Sequence, residues 1–326
     1  MDSIAKLEST ERKELFSETA SKMGLVPAVI EKDFWVCYVL GKLFSSDQLK
    51  DKILFKGGTS LSKVFGLIKR FSEDIDLVLD WSELTADDPY EERSRSEQVK
   101  FNKKLNELAC DYLVDKFAPS LKETLTDEFK LNVDRRVQSV LVKYPSGFDS
   151  KYVRPEICLE IGPLASWVPH GNFSVKPFAA DIFPSQFAEP SVNVKAINSE
   201  RTFWEKITIL HHEAHRPVGN EIPTRYSRHY YDIIMMSKHA VKENAFADLN
   251  LLSDVVKFKE KFYYRAWAKY ELAKPGTMKL YPPHHCIEIL RKDYKAMEGM
   301  IFDVPPTFDE LMSCIRKIES EINELV

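Results

Sequence analysis

Asp74 and Asp76 sit two residues apart in the run DIDLVL. Side chains alternate faces along a strand, so both carboxylates leave one face, roughly 7 Å apart. Ile75 and Leu77 point the other way, toward a core. Two carboxylates on one face call for a cation, and an all-oxygen ligand set suits Mg²⁺. Upstream, Ile53-Leu54-Phe55 reads as a buried strand that Lys56-Gly57-Gly58 ends, with Thr59 capping a short helix from Ser60 to about Phe65. Glycines there let backbone N–H groups approach a phosphate, and the helix start favours negative charge. Lys69-Arg70 falls in the turn leading out. One half of the stretch suits a triphosphate and the other half its metal, which is the equipment of phosphoryl or nucleotidyl transfer. GGTSLSK lacks the Gly-Lys-Ser/Thr ending of a P-loop. Two glycines alone, or an Asp-x-Asp pair alone, carry little weight; the order strand, glycines, helix, strand carries much more.

The elements that must hold these residues follow from the pattern on either side. Ser9 or Thr10 starts a helix that Gly24 closes. A second begins near Pro27, with Ile30, Phe34, Trp35, Tyr38, Val39 and Leu43 forming one broad face to pack on a sheet and Glu31, Lys32 and Asp33 on the solvated side. After the Asp-x-Asp strand comes a polar loop (82–92), then a charged helix from Arg93 to Phe117 ending at Pro119, with Lys100, Lys103 and Lys104 in solvent. VQSVLVKY (137–144) has strand composition. In the strand from Val153 to Ile161, Ile157, Leu159 and Ile161 share one face and Glu156, Cys158 and Glu160 the other. Residues 163–190 show no clear period, and VNVKAI (192–197) reads as a last strand. Ser199 then caps a strong helix, and everything beyond reads helical. The expected class is α+β: a mixed sheet flanked by helices over residues 1–198, and a helical domain over 199–326.

At 326 residues with 44% hydrophobic and 29% charged residues, the chain has the composition of a soluble globular protein with ample core. A net charge of −4 argues against a uniformly basic nucleic-acid binder while leaving room for a local basic groove. Cys37, Cys110, Cys158, Cys286 and Cys314 are scattered and lack CxxC spacing, as befits reduced thiols in the cytoplasm. The N-terminus has no apolar signal core, and no run is long enough to span a membrane.

Two stretches of the helical region invite a function. His211 and His215 have zinc-compatible spacing, but HEAH is one residue short of HExxH and Arg216-Pro217 ends the helix, so they read as exposed helix-end histidines. The segment 257–279 interleaves Lys257, Lys259, Lys261, Arg265, Lys269, Lys274 and Lys279 with Phe258, Phe262, Tyr263, Tyr264, Trp267 and Tyr270. It reads equally as an RNA-binding patch, cations on phosphates and rings on bases, or as a helix with an aromatic core stripe. The tail from Phe308 to Val326 is an amphipathic helix.

KGGT followed by RFSEDIDL resembles the signature of the AbiEii/AbiGii toxin family, within the DNA polymerase β-like nucleotidyltransferase superfamily. EKDFW before it, and RTFWEKI and RYSRHYYDI after it, resemble the family's other motifs. The resemblance implies a nucleotidyltransferase domain over 1–198. Asp74 and Asp76 would hold Mg²⁺, and a third carboxylate on a neighbouring strand, Glu160 or else Glu156, would complete the site and help deprotonate the attacking hydroxyl. Lys56, Gly57, Gly58, Thr59 and Ser72 would surround the phosphates of an NTP. Lys206 would be an active-site lysine, and Asp232 would orient it or assist the metal shell, with Arg228 on the same helical face as Asp232. It further implies transfer of NMP to an RNA acceptor, with the tRNA 3′ end foremost, a block of translation, and a cognate antitoxin. A kinase-like phosphotransferase on the same aspartates, or a non-catalytic nucleotide-binding switch, are the alternatives.

Overall fold

In the computed structural model, residues 1–72, 74–150 and 153–325 are described; Glu73 of the RFSEDIDL run and Val326 of the predicted tail helix lie outside the described residues. The chain divides into two compact units, one of residues 1–64 and 72–197, the other of residues 65–71 and 198 onward.

The first unit holds α1 (Asp2–Ala5), α2 (Ser9–Met23), α3 (Pro27–Ser45), β1 (Ile53–Lys56), α4 (Gly57–Lys63), β2 (Asp74–Leu79), α5 (Arg95–Tyr112) and α6 (Ala118–Thr124). It continues through β3 (Lys130–Asp134), β4 (Ser139–Lys143), β5 (Glu156–Gly162), β6 (His170–Val175), α7 (Phe178–Ile182) and β7 (Val192–Ile197). Among the described residues the strands form one seven-stranded sheet in the order β3-β4-β5-β2-β1-β7-β6. It is mixed: β1 runs antiparallel to β2, whereas β2–β5 and β1–β7 are parallel. The fold is α+β.

β3 and β6, absent from the expected strands, are the two edges of this sheet. An edge strand pairs on one side only and carries polar residues freely. Leu131 and Val133 in β3, and Phe173 and Val175 in β6, alternate with polar residues, so each strand carries a period-2 pattern that is short and flanked by irregular chain. α5 also departs from expectation. It ends at Tyr112, a π-turn (Leu113–Phe117) follows, and α6 begins with Pro119 in its first turn, where the missing N–H costs nothing.

The core lies on one face of the sheet, where Phe55, Ile75, Leu77, Ile157, Leu159 and Ile161 meet α3 through Phe34, Trp35, Tyr38 and Leu43. α3 is enclosed on all sides rather than lying on the surface. Glu31, Lys32 and Asp33, expected in solvent, are 2%, 1% and 5% exposed. Burial is tolerated because partners replace water. Glu31 accepts from Ser146 Oγ (2.9 Å) and Gly147 N (2.6 Å). Asp33 pairs with Lys63 Nζ (2.6 Å) and accepts from Phe178 N (2.7 Å).

The second unit holds α8 (Ser199–Ala214), α9 (Arg228–Met236), α10 (Val241–Phe246), α11 (Leu249–Phe262), α12 (His284–Met297) and α13 (Phe308–Asn323). α13 buries Leu311, Met312, Ile315, Ile318 and Ile322, the amphipathic face its sequence spells. No helix among the described residues is long and apolar enough to cross a membrane.

Candidate active site

β1 and β2 pair with Lys56 opposite Asp76, and β2 and β5 pair with Asp74 beside Cys158 and Asp76 beside Glu160. Cross-strand partners share a face. Lys56, Asp74, Asp76, Cys158 and Glu160 therefore stand together on the sheet face opposite the α3 core. The same face is apolar at its other end, where Leu54, Val78 and Ile197 form a small buried cluster. Glu156 lies farther down β5, opposite Lys143 of β4 and 3.8 Å from Arg154. Of the two candidate third carboxylates, Glu160 is the one in register with the Asp-x-Asp pair.

Gly57 shows why the glycines precede this strand. Its φ is +79°, which L side chains rarely adopt, and a Cβ there would lie 1.8 Å from Asp76 Oδ2 and 2.9 Å from Asp76 Cβ. The space that a side chain would fill is taken by the Asp76 carboxylate. Helix α4 starts at Gly57 itself, so Thr59 sits inside the first turn and does not cap it. The Thr59 hydroxyl instead donates to the Asp74 carbonyl, tying the glycine helix to the strand. Thr59 is 2% exposed. Ser72 lies half-buried just before β2.

Electrostatics mark the same face. Burial first, and then the carboxylates of Asp74, Glu160 and Asp76, push the Cys158 thiol up to about 11. Negative charge is concentrated there, and its donors are hard oxygens, which fits a divalent cation of the Mg²⁺ type. Among the described residues, no group of three or more His, Cys, Asp or Glu side chains is gathered as a metal site.

In the helical unit, Asp232 of α9 is fully buried and takes two cations. Arg70 forks onto it, Nε to Oδ1 at 2.7 Å and Nη2 to Oδ2 at 2.9 Å, and Lys206 Nζ of α8 lies 2.8 Å from Oδ2. Burial alone would raise its carboxyl, but Arg70 and Lys206 outweigh burial and hold it well below the usual range. Both oxygens are engaged with cations, so the geometry suits orienting Lys206 and not joining a metal shell. Arg228, one turn away, is exposed, and Asp232 turns to Arg70 and Lys206 instead. Arg70 is the residue that sequence reasoning missed. A charged residue in a short connection reads as solvated, and nothing local marks it as 5% exposed.

The histidines do lie at the end of α8, but His211 and His212 are buried and His215, its C-cap, is half-buried, where exposure was expected. His211 is fully buried, accepting from Lys279 N at Nδ1 (3.1 Å) with Nε2 2.9 Å from the Lys269 carbonyl, which assigns the proton to Nε2. Burial holds His211 down to about 4 and His212 to about 3, the latter helped by Arg265 and Arg216. The 257–279 segment is not one helix. α11 ends at Phe262, and Lys269 has φ +52° between two short 3₁₀ turns. Phe258, Phe262 and Tyr270 are core, while Tyr263, Tyr264 and Arg265 are exposed.

The family model described as "Nucleotidyl transferase AbiEii toxin, Type IV TA system" matches residues 38–314, most of the chain. The chain belongs to the AbiEii family. As a member it is a nucleotidyltransferase, an enzyme, and a toxin of a type IV toxin–antitoxin system. The AbiEii class implies an NTP substrate and a cognate antitoxin. The fold is also similar to MenT4, a nucleotidyltransferase toxin from Mycobacterium tuberculosis H37Rv, at 15% identity and a TM-score of 0.44 over 95% of this chain and 97% of that one. No curated protein matches.

Proposed function

We propose that this AbiEii-family enzyme transfers NMP from an NTP to an RNA acceptor, the tRNA 3′ end foremost, in a Mg²⁺-dependent reaction in the cytoplasm that blocks translation. The observation that carries the reading is the register of Asp74, Asp76 and Glu160 on one sheet face, with Asp76 lying over Gly57. Asp74, Asp76 and Glu160 would hold Mg²⁺, which when bound would neutralise charge developing on the phosphates. Glu160, more exposed than Asp76 beside it, accepts the proton of the attacking RNA hydroxyl. The N–H groups of Gly57 and Gly58, with Lys56 and Ser72, bind the phosphates. Lys206 enters through the family motif as a further cation for phosphate oxygens, and Asp232 fixes its direction. Cleavage at the α-phosphate releases pyrophosphate. We assign this chemistry to residues 1–198 and a supporting role to 199–326. The 257–279 segment, with Tyr263, Tyr264 and Arg265 exposed, is the proposed RNA contact.

The test is incubation of the pure protein with each α-labelled NTP, Mg²⁺ and total RNA. Labelled RNA 3′ ends with pyrophosphate release is the expected result. NDP release would instead mean a phosphotransferase, and binding without turnover would mean a switch.

A further inference from the structure

The link between the glycine helix and the Asp-x-Asp strand, residues 65–71, is built into the helical unit. Arg70 forms an antiparallel bridge with Ile301. Phe71 N donates to the Met300 carbonyl (2.7 Å), and Phe302 N donates to the Lys69 carbonyl (2.8 Å). The Phe71 and Phe302 rings lie 6.2 Å apart, and Lys69 Nζ is 3.0 Å from Asp303 Oδ2 at the surface. These bonds hold the link along one strand of chain. The Arg70 side chain does something different: it ties the link to the buried Asp232 of α9, and through that carboxylate to Lys206 of α8.

We infer that Arg70 is a positioning residue for nucleotidyl transfer: its two-pronged bond fixes the Asp232 carboxylate, which in turn holds the Lys206 ammonium. The inference rests on the proposed reading of Asp74, Asp76 and Lys206 as the reacting centre. A planar fork on a carboxylate fixes angle as well as distance, which a lysine ammonium cannot do. Without the fork the carboxylate is free to turn and Lys206 turns with it, and misplacement by an ångström at a reacting centre costs about a hundredfold in rate. Asp232 then acts as a clamp, one carboxylate holding Arg70 and Lys206 together.

Arg70→Gln is the primary variant, because Asp232 keeps Lys206 as a partner. We expect kcat for NMP transfer to fall by about a hundredfold while KM for the NTP moves by no more than about threefold. Arg70→Lys should recover only part of kcat. Amide exchange at Phe71 and Phe302, followed by mass spectrometry, should rise by about tenfold in both variants. Asp303→Asn, which cuts only the exposed pair, should leave kcat and exchange as in the wild type. Unchanged kcat or unchanged exchange in Arg70→Gln overturns the inference, and if that variant does not fold, Arg70→Lys decides by the same two readouts. Asp74→Asn separates the two readings. If it keeps full transfer activity, the assignment of the reacting centre is wrong, while the exchange data still accept or reject the clamp.

Discussion

Gly57 is the residue at which backbone and chemistry are least separable. Its positive φ and the 1.8 Å at which an added Cβ would meet Asp76 Oδ2 both forbid a side chain. Gly57→Ala should therefore push the Asp76 carboxylate aside and reduce NMP transfer by about a hundredfold, the scale of a misplaced reacting group; steady-state kinetics at saturating NTP would show it, and a near-normal kcat would refute it. Asp74→Asn and Asp76→Asn test the same face without disturbing the core, because Ile75 and Leu77 on the other side are untouched. Each should lower the rate by on the order of a hundredfold or more with melting unchanged. Near-normal turnover in either variant would place the reacting centre elsewhere.

At the scale of the element, α4 is held at both ends. Thr59 ties its first turn to the Asp74 carbonyl, and Lys63 in its last turn pairs with Asp33 of α3, its ammonium 4.0 Å from the Phe178 ring centre. Asp33 in turn caps the start of α7 through Phe178 N. Replacing one partner of such a buried pair strands the other charge, which costs about 3–5 kcal/mol. Lys63→Met should lower stability by that order in urea unfolding, whereas Lys103→Met, at an exposed i,i+4 pair, should change it by well under 1 kcal/mol. Equal effects of the two would show that the Asp33–Lys63 pair does not anchor α4. The local sequence announced α3 and α4 as helices. It could not announce that α3 is surrounded, because i,i+4 periodicity reports one apolar face and charged residues opposite it look solvated.

For the whole molecule, pH and salt are the levers. His211 and His212 are neutral in the fold and bind protons only at about 4 and 3, whereas unfolded histidines do so near 6.5. The unfolded state therefore holds more protons as pH falls below 6.5, so stability drops between pH 6.5 and 4. His211 alone accounts for roughly 3 kcal/mol of that loss. Asp232, held below its ordinary 3.8, adds a further loss only once pH falls below that value. Melting measured from pH 7 to 4 should show the decline, and His211→Gln should flatten it; a pH-independent melting point would contradict the buried, neutral histidines. Salt reports on RNA binding. Changing Lys257, Lys261, Arg265 and Lys269 to glutamate should weaken RNA binding and lower its salt slope by roughly one unit for each phosphate no longer neutralised, leaving NTP affinity nearly unchanged. Unchanged RNA affinity would assign the acceptor to another surface.

By itself the sequence determined the strand–glycine–helix–strand order around 53–79, the apolar and polar faces of β5, the α+β class and the helical character beyond Ser199. These rest on local periods and on glycines whose backbone demands are written in the residues themselves. It also carried the family through short motifs spread from EKDFW to RHYYDI. Only the tertiary structure decided which charges are buried. Glu31, Asp33, Arg70 and His211 have the residue types of a surface, and their burial depends on partners far away in the chain: Gly147, Lys63, Asp232 and Lys279. It likewise decided that Glu160, and not Glu156, stands beside Asp76, because strand register is a long-range pairing set by which faces must be covered. Local patterns report what a segment can become. Where its charges come to rest is fixed by partners that no local window contains.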